Sequence, residues 1–90
     1  MQEPKTLQVE VREGADFGYF QVHVRCPTHP SLTTSMLIAI ERKCTRLTSV
    51  NLIMQPSISI DVTAEKMEGM TDEDMEHLKD VLICLIEETS

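Results

Sequence analysis

Three stretches of this chain alternate apolar and polar side chains, and that period of two restricts the fold more than any other feature. They span residues 6–12 (TLQVEVR), 19–26 (YFQVHVRC) and 58–65 (ISIDVTAE). A strand sends successive side chains to opposite faces, so each stretch reads as a half-buried strand. Leu7, Val9 and Val11 form the inner face of the first; Phe20, Val22, Val24 and Cys26 form that of the second. Strands with one apolar face need a second layer to cover it.

The segments between them supply that layer. Glu13 to Gly18 contains two glycines and reads as a short hairpin connection. Pro27 and Pro30 stop the second strand, and Pro30 suits the first turn of a helix. Thr28, His29 and Ser31 are the capping candidates. Leu32, Met36, Ile40, Cys44 and Leu47 then recur at helical spacing, with Arg42, Lys43 and Arg46 placed to complement the helix dipole. Residues 48–54 alternate at Val50, Leu52 and Met54, but Ile53 interrupts the pattern; a short strand is expected there. Thr71 followed by Asp74 has the form of a capping box and opens a last helix whose inner stripe is Met75, Leu78, Leu82, Leu85 and Ile86.

The predicted order is β-β-α-(β)-β-α. The fold class is α+β: a two-layer domain with an antiparallel three- to four-stranded sheet and two helices on one face. Residues 1–90 make one domain, enough to bury roughly 60–68% of the unfolded surface. A hydrophobic content of 41% rejects disorder. Met1 to Lys5 has no leader-like pattern, and the longest apolar run, Val81 to Ile86, is too short to span a membrane. Cys26, Cys44 and Cys84 are odd in number and widely spaced, which suits free thiols, with Cys26 and Cys44 in the core. The expected location is cytoplasmic.

The net charge of −7 falls almost wholly on residues 51–90. Such a field repels phosphate backbones, so nucleic acid is not an expected partner. The apolar positions of the last helix, at about 100° per residue, cover roughly 200° of its circumference, more than one sheet can bury. Ile38 stands opposite the stripe of the first helix. Ile38, Leu78, Val81, Ile83 and Leu85 are therefore the candidates for a helix-side interface, the alternative being that the first helix wraps over the last. The polar sheet face offers a second candidate surface centred on Tyr19, His23 and Arg25, of which Tyr and Arg are enriched at binding hot spots.

Catalytic and cofactor chemistry finds no footing. Cys26 with His29, extended by Cys44 and His23, lacks the paired spacing of a zinc module, and Cys26 fits a core strand position better than a nucleophile. The acids Asp72, Glu73, Asp74 and Glu76 lack the ligand alternation and glycine of an EF-hand loop. No phosphate-binding glycine loop occurs. No catalytic residue, metal ligand, cofactor, small-molecule ligand or membrane contact is expected. The first reading is a non-enzymatic protein-interaction domain, acting as a homodimer or as a subunit of a larger complex. The alternative is an acidic inhibitor of phage or mobile-element type that occupies a basic nucleic-acid-binding site on another protein. A third, an RNA-binding sheet face, would rest on Tyr19 and Arg25.

Overall fold

The computed structural model describes residues 7–89. Six elements follow in order: β1 (Gln8–Glu13), β2 (Tyr19–Cys26), α1 (Leu32–Arg42), β3 (Cys44–Ile53), β4 (Ile58–Lys66) and α2 (Asp72–Thr89). The strands form one antiparallel sheet in the order β1-β2-β4-β3, which confirms the α+β class and resolves the bracketed strand as real. Thr6, the first residue of the expected first strand, lies outside the described residues.

The register joins the apolar positions into rows. Val11, Val22, Val62 and Val50 lie side by side across the four strands, and so do Val9, Val24, Ile60 and Leu52. Directly opposed residues share a face in an antiparallel pair, so both rows belong to the side that the helices cover. Met36 and Ile40 of α1 and Leu78 and Leu82 of α2 close over Phe20, Val24 and Ile60, all fully buried. α1 packs toward β3, α2 toward β1, and the two helices pack on each other.

The first helix is shorter than its spacing predicts. It ends at Arg42, and Cys44 and Leu47 belong to β3. The physical reason lies in two register shifts, at Cys44/Arg46 and Leu47/Ser49, where β3 carries an extra residue against β4. Each bulge adds one to the period of two, so Cys44, Leu47 and Val50 return to the same face three residues apart. That is also a helical spacing. The inserted residues are Thr45 and Thr48, whose hydroxyls donate to the carbonyls of Lys66 (3.1 Å) and Thr63 (2.9 Å). β-Branched residues at these positions favour the strand over a continued helix.

The ends of the elements follow local chemistry. Ser31 stands at the N-cap of α1 without a side-chain cap bond. α2 has the expected capping box: the Thr71 N–H donates to Asp74 Oδ2 (2.9 Å), and the Asp74 N–H donates back to Thr71 Oγ1 (3.3 Å). Gly18, before β2, has φ +89°, a region that side-chain-bearing residues rarely enter. Its carbonyl accepts the Lys66 N–H at 2.8 Å, which seats the β1–β2 connection on the end of β4.

Candidate functional site

The open face of the sheet is polar, as the alternation requires. Tyr19, His23 and Arg25 share it, with Tyr19 and His23 half-buried and Arg25 exposed. Across the middle run Glu10, His23, Asp61 and Asn51, and His23 Nδ1 bonds Asp61 Oδ1. Arg46 reaches Glu65 at 3.6 Å, and Arg12 reaches Glu10 at 3.7 Å. Three arginines and three carboxylates are mixed along this face, so it holds none of the excess charge. A shallow depression of about 240 Å³ lies on it, lined by Arg12, Gln21, His23, Ser49, Asn51 and Asp61 among others.

The excess charge sits on the helix layer. α2 alone carries seven carboxylates and one lysine. Asp74 holds its proton less tightly than an ordinary aspartate, chiefly because the Thr71 backbone N–H and then the Thr71 hydroxyl donate to it. This is what a capping carboxylate does, and it accounts for Asp74 without a ligand.

The helix-side candidates separate. Leu78 is 0% exposed and belongs to the core, so it offers no surface to a partner. Ile83 and Leu85 are half-buried and pack against the core, and Val81 is half-buried. The buried part of the α2 arc packs on α1 along one flank and on β1 beneath, and Val81, Ile83 and Leu85 at its margins keep part of their surface. Ile38 alone among these candidates is a large exposed apolar residue, as its position opposite the α1 stripe implies.

The exposed apolar surface gathers instead along β3. Val50, Leu52, Ile53 and Met54 are 43, 39, 59 and 42% exposed, and they make up half of the large exposed hydrophobic residues among the described residues. Val50 and Leu52 end the two core rows, on the face the helices cover further in. Ile53 points to the other face, beside Ser59. β3 is an edge strand, so its outer backbone groups have no neighbouring strand. From Leu47 to Ser57 there is no ionisable side chain. Sequence reasoning missed this site, although its two signals, the alternation at Val50, Leu52 and Met54 and the eleven-residue absence of charge, were both present.

The groups that chemistry would need are dispersed. Cys26 and Cys44 are buried, and burial raises both thiols above their ordinary pKa, with Glu41 adding to the effect at Cys44. Cys84 is exposed on α2. His29 and Thr33 each hold a buried side-chain atom without a partner, at the entry to α1. Among the described residues no three His, Cys, Asp or Glu side chains gather where they could hold a metal. No helix among them is long and apolar enough to cross a membrane. No family model, curated protein or solved structure matches the chain.

Proposed function

We propose that this chain is a non-enzymatic protein-interaction domain, working as a homodimer or as a subunit of a larger complex. One observation carries the reading: Val50, Leu52 and Ile53 of an open edge strand, with Met54 just beyond it, stand exposed within five residues. Exposed apolar residues scattered singly are ordinary, but a run of them along an open edge, here on both of its faces, supports an association surface. A reducing compartment, the cytoplasm, belongs to the same proposal, and three unpaired cysteines suit it.

The acidic-inhibitor reading draws on a different region, the carboxylates of α2. The two are separated by salt. An acidic decoy loses its partner steeply as ionic strength rises, whereas an uncharged strand edge does not. The test is the mass of the purified chain in solution, by sedimentation equilibrium, followed by affinity capture from the source lysate at rising salt. Self-association, or retention of a defined partner at high salt, is expected. A chain that stays monomeric and retains nothing contradicts the proposal, and a partner shed by moderate salt favours the decoy.

A further inference from the structure

The free edge of β3 has a sequence that reads the same way against itself. Beyond the bulge at Thr48, residues Ser49–Ile53 pair with β4 without interruption, so this is the regular half of the edge. In an antiparallel pair of two such stretches about a two-fold axis at Asn51, Val50 stands opposite Leu52 of the second copy, and Leu52 opposite its Val50. Asn51 meets its own counterpart, and a carboxamide carries both donors and acceptors, so it can satisfy itself. Ser49 meets Ile53 on the open face. Val50 and Leu52, the apolar residues of this stretch on the helix-covered side, then each have an apolar neighbour.

We infer that β3 pairs with β3 of a second copy in this register, joining two sheets into one of eight strands with all four helices on the same side. The inference rests on the interaction-domain reading above and names its interface. Both core rows continue across the axis: Val11, Val22, Val62 and Val50 run on into Leu52, Ile60, Val24 and Val9 of the other copy. Strand addition of this kind uses the free backbone groups for affinity and the side chains for register.

Charge selects the second copy as the occupant. Two chains of net charge −7 repel wherever their acidic layers face each other. β3 from Leu47 onward, the charge-balanced open face and the uncharged stretch from Pro30 to Ile40 are the parts of the surface where that repulsion is least, and of these β3 alone adds free backbone groups. A basic partner would gain nothing from an uncharged edge and would go to α2. The contact is small, one short strand per copy with its side chains, which puts it in the weak, exchanging class of interfaces. The chain is expected to interconvert between monomer and dimer in the micromolar range.

The test is sedimentation equilibrium of the wild-type chain, Leu52→Lys and Ile38→Lys. Leu52→Lys sets an ammonium group against Val50 of the second copy and is expected to weaken the dimer by roughly tenfold or more. Ile38→Lys changes an exposed apolar residue on α1 and is expected to leave the dimer unchanged. A wild-type monomer at several hundred micromolar overturns the inference. So does a dimer that Ile38→Lys dissolves and Leu52→Lys does not; that result leaves the interaction-domain reading standing on a helix-side interface. Should Leu52→Lys fail to fold, cysteine cross-linking in a Cys84→Ser background decides. Asn51→Cys places the two thiols on directly opposed residues, within disulfide reach, and should give an oxidised dimer. Ser49→Cys leaves them about 13 Å apart along the strands and should not. Equal cross-linking by both variants, or by neither, overturns the register.

Discussion

The two edges of this sheet solve the same problem differently. An edge strand presents unpaired backbone groups that can template another chain, and proteins blunt such edges with short strands, charges, bulges or a covering element. β1 has three of these devices. It is six residues long, it carries Glu10, Arg12 and Glu13, and α2 packs against it. β3 is ten residues long; its bulges and its one charge, Arg46, lie in its first half, and α1 packs toward it. Its second half is regular, uncharged and apolar. One edge of the domain is closed by design of its side chains, and the other is left available.

The largest test of this contrast lies along the row that joins the two edges. Ile60 and Leu52 are neighbours in that row, one fully buried and the other at its open end. Ile60→Ala should cost about 2–5 kcal/mol in chemical denaturation, because it leaves a cavity between sheet and helices. Leu52→Ala should cost the monomer only about 1 kcal/mol. Equal costs would mean that Leu52 is a core residue and not a surface held for a partner.

The contrast can also be broken from the other side. Replacing Glu10 and Arg12 of β1 by valine removes two of its three charges and should make that edge adhesive as well. A chain with two adhesive edges can propagate, so light scattering should report species larger than a dimer. An unchanged size distribution would show that α2, and not charge, protects β1.

Smaller effects sit at the sheet ends. Lys66 Nζ donates to both carboxylate oxygens of Glu13, at 2.5 and 2.6 Å, fastening β1 to the end of β4. Glu13 is largely exposed, so Lys66→Ala should cost only about 0.5–1 kcal/mol. At the start of α2, the folded chain binds the Asp74 proton only at a lower pH than the unfolded chain does. The cap's contribution is therefore complete above the ordinary aspartate pKa and fades as pH falls through the folded value. In acid titrations of stability, Asp74→Asn should flatten this part of the curve, with a change smaller than any above.

Much of this architecture was legible in the residues. Strict alternation located β1, β2 and β4, and the Thr71–Asp74 spacing located the start of α2. Each of those signals is local and survives packing. The C-terminal limit of α1 was not legible, because a strand with bulges at Thr45 and Thr48 returns Cys44, Leu47 and Val50 to one face at the spacing of a helix. The exposed apolar residues of β3 were overlooked for a related reason. The apolar arc of α2 marks what must be buried, but not by what, and much of it packs on α1 and β1. Leu78, on the inner stripe of that helix, was thereby also offered as an interface residue, and it is fully buried. Which strand becomes an edge depends on strand order, and no local pattern in residues 44–54 encodes that β4 and not β3 lies at the centre.

The central claim is that β3, and not β1 or the helices, is where a second copy binds. Amide hydrogen exchange measured at low and high protein concentration addresses it residue by residue. Protection should rise with concentration at the outward-pointing amides between Ser49 and Ile53, those not already bonded to β4, while Gln8 to Glu13 and the two helices stay as they were. Concentration-dependent protection in α1 or α2 with none in β3 would contradict the account.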